Sequence, residues 1–260
     1  AKMANSRGYN FDKLSNALNN NLTANVKVAH SKRGQVKRVT SYLNSIFSLS
    51  DLDQLEIQAL KRLSCSPSGY QNLDFIAELW SPNGSDSYHD FLGAIDQLSE
   101  KGWVYIVYTN ENVKVYLHQV IRDVVLHSQK FNFIDLEKYI DNIIEILTSN
   151  DLEVGNTVFE VSKFIQFGIS LEYVIQNKLI PKKVAKEIKI AKFRSCLANI
   201  LRAKGDFIGA KKLLEKVIIS YEKNLGKRNY LTCTQHSKLG AVLLDLGENE
   251  KAHSIFKDVI

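Results

Sequence analysis

Residues Ile190 to Ile260 carry one pattern twice, and this repetition limits the fold more than any other feature of the chain. The first copy reads Leu197-Ala198, Leu201, Gly205, Ala210, Leu214, Val217. The second reads Leu239-Gly240, Leu243, Gly247, Ala252, Phe256, Val259. Counterparts stand 42 residues apart: 239 − 197, 247 − 205 and 252 − 210 all give that step. A fixed period of this size marks stacked helical hairpins, none of which buries its apolar face alone.

The residue types suit that geometry. Leu197, Ala198 and Leu201 share one face of a first helix. Gly205 ends it, where a positive φ is needed at least steric cost. Asp206 starts the next helix, whose inner face carries Ala210, Leu214 and Val217. Small residues at 198, 240, 210 and 252 allow close helix approach. The pattern resembles a tetratricopeptide repeat, in the longer-helix form found in kinesin light chains and many bacterial signalling proteins. Tyr221-Glu222-Lys223-Asn224-Leu225-Gly226 is similar to the linker that follows the second helix in that form.

The chain has 260 residues, 45% of them apolar and 24% charged, enough for two soluble globular domains. It has only three prolines, and its aromatics reach 10%, which excludes a disordered chain. No apolar run approaches the ~20 residues of a membrane span, and the polar start Ala1-Lys2-Met3-Ala4-Asn5-Ser6 is not a secretory signal. Cys65, Cys196 and Cys233 have no paired spacing and read as reduced core thiols of a cytoplasmic protein. The net charge of +6 permits an acidic partner without demanding one. Its densest clusters, Lys32-Arg33 with Lys37-Arg38, and Lys182-Lys183 with Lys186 and Lys189, read as solvated helix faces. Both ends read as cuts, since the second copy stops inside its second helix without a polar capping helix. A fragment of a longer protein is expected.

In chain order, helices are expected over Asp12–Asn25 and Gly34–Phe47. Ser50 and Asp53 have capping-box spacing before a helix with Leu55, Ala59, Leu60 and Leu63 inward, stopped by Ser66-Pro67-Ser68-Gly69. A short helix over Asn72–Leu79 and a third over Ser87–Glu100 follow. The period then changes to two. Trp103–Tyr108 and Val113–Tyr116 read as a β-hairpin turning at Asn110-Glu111-Asn112, with a helix from about Leu117 to Ser128. Three helices, a hairpin and a helix give the order of a winged-helix domain. Ile134–Leu147 and Val154–Gln176 read as a helical connector, the latter with a break at Gly168-Ile169-Ser170, and Pro181 suits the first position of the next helix. The expected fold is thus mainly α: a helical segment at 1–49, a winged helix at 50–128, a connector at 129–189 and a tetratricopeptide α-solenoid from 190 to 260.

Motifs for chemistry are missing. There is no phosphate loop, no Gly-x-Gly-x-x-Gly, no His-Glu-x-x-His, no Cys-x-x-Cys and no Gly-x-Ser-x-Gly. The six histidines do not cluster with cysteines at ligand spacing. No catalytic residue, metal site or enzyme activity is expected. One local motif remains: Val115-Tyr116-Leu117-His118-Gln119-Val120-Ile121-Arg122-Asp123-Val124-Val125. It resembles the close of the winged helix in the signal-transduction ATPases with numerous domains, which include plant disease-resistance receptors and apoptosome ATPases. The resemblance implies that His118 faces the β-phosphate of ADP held by a preceding ATPase domain, in a full-length protein that binds ADP or ATP. Gln119 stands where many relatives have Asp.

The resulting expectation is a non-catalytic regulatory and sensor fragment of a nucleotide-switch signalling ATPase. It holds no cofactor of its own and touches an upstream ATPase domain within the same chain. A protein or peptide would bind the concave face of the repeats, with Arg194, Asn199, Arg202, Gln235 and Lys238 as contact candidates. Dimerisation is open. The alternatives are a winged-helix transcription regulator with a peptide-sensing repeat domain, and a pure scaffold. Against DNA stands the helix that would enter the major groove: Ser87–Glu100 carries Asp90, Asp96 and Glu100 and no Lys or Arg until Lys101.

Overall fold

The computed structural model describes residues 49–81, 84–128, 133–148, 157–178 and 184–259. The helices expected at Asp12–Asn25 and Gly34–Phe47, the Pro181 helix start, and the basic pairs at 32–33, 37–38 and 182–183 lie outside the described residues. The chain divides into two units, Ala1–Lys130 and Phe131–Ile260.

In the first unit a 3-10 turn at Leu49–Asp51 leads into α1 (Gln54–Ser64). The capping box lies three residues later than the Ser50–Asp53 spacing predicts. Asp53 accepts from the Glu56 N–H at 2.8 Å, and Glu56 Oε2 accepts from the Asp53 N–H at 2.8 Å. Ser50 takes no part in it. Ala59, Leu60 and Leu63 are buried as expected, but Leu55 is 47% exposed, and Glu56 is fully buried and ion-paired to Lys101. Next come β1 (Tyr70–Asn72), α2 (Leu73–Trp80), α3 (Asp86–Glu100), β2 (Val104–Tyr108), β3 (Val113–Leu117) and α4 (Gln119–Ser128). Asn72 caps α2 and Ser85 caps α3, each through its side-chain oxygen. Strand β1 was not anticipated. It is three polar-leaning residues after Gly69 (φ 104°), and it exists through its antiparallel pairing with β3. The sheet order is β1-β3-β2. Leu117 ends β3 and does not begin α4. Leu60, Ile76, Ile95, Leu98, Trp103 and Val125 fill the core.

The second unit contains α5 (Phe133–Thr148), α6 (Thr157–Lys178), α7 (Val184–Ala203), α8 (Phe207–Leu225), α9 (Tyr230–Asp245) and α10 (Asn249–Val259). The 42-residue step holds at the level of backbone hydrogen bonds. After α7, Gly205 N–H reaches Arg202 O at 2.9 Å and Asp206 N–H reaches Leu201 O at 2.9 Å. After α9, Gly247 N–H reaches Leu244 O at 2.9 Å and Glu248 N–H reaches Leu243 O at 2.8 Å. Gly205 (φ 82°) and Gly247 (φ 75°) take the left-handed conformation this closure requires. Asp206 then caps α8 by accepting from the Gly209 N–H at 2.8 Å.

Two expectations change here. Helix α6 runs unbroken through Gly168-Ile169-Ser170. Gly168 marks a close approach to α7, since a Cβ there would lie 2.8 Å from Leu197 Cδ1. The expected linker at 221–226 is instead the end of α8. Tyr221 packs with Ala191 and Val217, Leu225 packs beside them, and the Gly226 N–H bonds back to Tyr221 O and Glu222 O.

The second copy of the pattern trades volume between counterparts. Where the first has Ala198 and Leu214, the second has Gly240 and Phe256. A Cβ on Gly240 would sit 2.6 Å from the Phe256 ring. Gly240→Ala is expected to destabilise by about 1 kcal/mol, because overpacking of roughly 1–3 kcal/mol exceeds the helix-propensity gain of about 1. Adding Phe256→Leu should recover most of the loss in urea unfolding. Cys65 is fully buried, its thiol pushed up to about 12 by burial, and Cys196 is buried and raised for the same reason. Cys233 is half-buried near the start of α9, not in the core. Ellman's reagent should therefore titrate one thiol in the native chain and all three after denaturation.

Candidate functional site

The first helices of successive hairpins carry their polar residues to a shared groove. Ile188, Lys192 and Ser195 recur at i, i+4, i+7 along α7, and Leu231, Gln235 and Lys238 recur likewise along α9. Together with Asp141, Ile144 and Glu145 of α5 they line a groove of 890 Å³. Apolar atoms of Ile144, Ile188, Tyr221 and Leu231 lie among its charged groups.

Its polar centre is a chain of two hydrogen bonds. Lys238 Nζ donates to Ser195 Oγ at 3.0 Å, and Ser195 Oγ donates to Gln235 Oε1 at 2.7 Å. The order follows from chemistry. An ammonium only donates, so the Ser195 oxygen accepts from it and its proton goes to Gln235. Gln235 must present its carbonyl oxygen to Ser195, which leaves its N–H donors for the groove. Ser195 is 5% and Gln235 4% exposed, so this orientation is held by packing. Burial pulls the pKa of Lys238 down, partly opposed by the neighbouring Cys196. Lys189, by contrast, is tied to Glu137 at 2.8 Å and Asp141 at 2.9 Å. Lys192 makes no ion pair among the described residues. Among the described residues, the groove thus offers Lys192 and Lys238 without carboxylate partners, beside the Gln235 amide.

The five contact candidates fall in three places. Gln235 and Lys238 line the groove. Arg194 lies elsewhere on α7, its Nε donating to both carboxylate oxygens of buried Glu172 at 3.0 and 2.8 Å. Asn199 and Arg202 border a separate recess of 330 Å³, where Arg202 pairs with Asp245. Lys192, Ser195 and the α5 acids were not singled out from the sequence. The i, i+4, i+7 spacing of α7 was the available signal for the first two.

In the first unit, His118 is exposed between β3 and α4. Its C=O accepts from the Arg122 N–H at 3.0 Å, and its Nδ1 accepts from the Val120 N–H at 3.2 Å. An accepting Nδ1 puts the proton of the neutral ring on Nε2. Arg122, one turn on, donates from Nε to Ser64 O at 2.8 Å and is buried. Gln119 accepts from Ser68 Oγ at 2.9 Å and donates to Asp123 at 3.0 Å. The start of α4 is therefore anchored on the end of α1.

A family model for the tetratricopeptide repeat matches residues 191–229, which span most of α7 and all of α8. No curated protein and no solved structure matches the chain. The second unit contains a tetratricopeptide repeat, a kind of repeat whose stacking builds protein-binding surfaces. Among the described residues, no group of three or more His, Cys, Asp or Glu side chains is placed to hold a metal ion. No described helix is long and apolar enough to cross a membrane.

Burial holds the Lys238 pKa below its ordinary value. Folding favours its neutral form, so the charged form costs stability at every pH below the folded-state value. That cost fades as the pH rises toward the ordinary value of about 10.4. Lys238→Met should be more stable than the native chain near neutrality, with an advantage that shrinks in alkaline buffer. Thermal unfolding over a pH series measures this.

Proposed function

We propose that this chain is a non-catalytic regulatory and sensor portion of a nucleotide-switch signalling ATPase. Its repeats bind a protein or peptide in the groove of α5, α7 and α9. Its residues 50–128 act as a winged helix that packs on an ATPase domain of the same full-length protein. Binding at the repeats shifts that protein between closed and open states.

The observation that carries the nucleotide half of this reading is the state of His118. Its Nδ1 is used in capping α4, which leaves an exposed Nε2–H as an outward donor. A neutral imidazole fixed in that tautomer fits a phosphate oxygen, and ADP in the ATPase domain would supply one. The element order α1-β1-α2-α3-β2-β3-α4, with its small sheet, supports the winged-helix reading. Duplex DNA fits poorly. The exposed face of α3 carries Asp86, Asp90, Asp96 and Glu100 and no Lys or Arg.

The test begins with the coding sequence. A phosphate loop within about 250 residues upstream, roughly one or two domains, is expected. In the full-length protein, His118→Ala should release ADP about tenfold faster, the effect of one lost hydrogen bond of roughly 1–1.5 kcal/mol. Paired Lys192→Glu and Lys238→Glu should leave ADP release unchanged and abolish capture of the repeat partner. A reading frame that opens at Ala1 would overturn the ATPase half of the proposal.

A further inference from the structure

Strand β2 has an open edge that nothing in its sequence protects. It pairs with β3 on one side, and no strand lies along the other side among the described residues. The hairpin register tells which groups that edge presents. Thr109 N–H reaches Asn112 O at 3.0 Å, so 109 and 112 form a hydrogen-bonded pair. Hydrogen-bonded and non-bonded pairs alternate along an antiparallel ladder. Val107 opposite Lys114 and Tyr105 opposite Tyr116 are then bonded to β3. Val104, Ile106 and Tyr108 point their N–H and C=O groups outward, and these have no partner among the described residues.

Edge strands are ordinarily blunted by charge, proline or shortness. The other outer strand, β1, is only three residues long. Strand β2 is five residues long, and its sequence Val-Tyr-Ile-Val-Tyr holds no charge and no proline. Tyr105 is 46%, Val107 40% and Tyr108 74% exposed. Tyr105 and Val107 share the open face of the sheet, where Tyr105 continues a cross-strand row with Tyr116 (6.2 Å between ring centroids) and Tyr70 (5.0 Å from Tyr116).

We propose that β2 pairs antiparallel with β2 of a second copy of this chain. The strand is self-complementary about Ile106. Turned around a two-fold axis there, Val104 faces the partner's Tyr108, Tyr105 faces the partner's Val107, and Ile106 faces its own counterpart. The three outward-pointing residues of one copy meet the three of the other, so every free backbone group of the edge finds a partner. The side-chain pairs on either side of Ile106 are aromatic against β-branched, a favoured combination, and no like charges oppose each other. A strand without charge selects neither an acidic nor a basic partner. A two-fold contact also closes on itself, so the product is a dimer with one continuous six-stranded sheet and not a fibre.

Sedimentation velocity of the 260-residue chain over a concentration series tests this. A monomer–dimer equilibrium is expected. Tyr105→Lys with Val107→Lys sets like charges opposite each other at both pairs and should weaken the dimer at least about tenfold. Tyr105→Glu with Val107→Lys sets opposite charges there and should restore it. In a Cys233→Ser background, Tyr105→Cys with Val107→Cys should form covalent dimers under mild oxidation, because these residues meet at closely spaced, non-bonded positions. This last arm does not depend on the charged variants folding. A native chain that stays monomeric, one that grows beyond two copies, a folded Lys/Lys variant that still dimerises, or a cysteine variant that fails to cross-link would each overturn the proposal.

Discussion

The second unit depends on how its first helices stop. At Gly205 and again at Gly247 the chain reverses within two residues, through a pair of backbone bonds that reach back over the last turn. The residue after the glycine does two things at once. The Asp206 N–H closes α7, and its carboxylate opens α8. With so little chain between the helices, their relative position is set by backbone geometry before any side chain packs. Apolar contacts then fill a shape already decided, with Leu197, Ala198, Ala210, Leu214 and Val217 all nearly inaccessible. Repeating that closure after 42 residues brings α7 and α9 to one side, and the groove is the result.

This is also why the repeat unit was legible in the sequence. A positive φ and a close helix approach each demand a small residue at a fixed place, and such demands leave marks that no other residue type imitates. The features that escaped arise from contacts between distant residues. Strand β1 has no pattern of its own and exists because β3 is beside it. Gly168 looks like a helix breaker until Leu197 is seen against it. The capping box slipped because Ser50 and Asp53 have the same spacing as Asp53 and Glu56, and burial of Glu56 beside Lys101 decided between them.

The site was legible to a similar degree. Gln235 and Lys238 sit on the groove, but polarity alone did not separate them from Arg194 and Arg202. Those arginines are held by Glu172 and Asp245, whose nearness depends on the packing of α6 and α9. What distinguishes Lys238 is the reverse condition, a half-buried ammonium set beside the Ser195 hydroxyl and the Cys196 thiol, with no carboxylate partner among the described residues. In the first unit the informative detail was equally local. The ring of His118 spends one nitrogen on its own helix, and that choice fixes what the other nitrogen can do.

The shared closure at Gly205 and Asp206 also constrains how such a chain can change length. One residue inserted between them would turn α8 by roughly 100° about its axis and move its buried face toward solvent. The same insertion in the connection at Gly226–Asn229 leaves the closures at Gly205 and Gly247 in place and falls on the bonds from Asn229 N–H and Thr232 Oγ1 to Gly226 O, between one hairpin and the next. Length variation in repeats of this build should therefore collect between hairpins and avoid their bends. There it would tune the curvature of the groove, and so the reach of whatever lies in it, without touching a single core contact inside a hairpin.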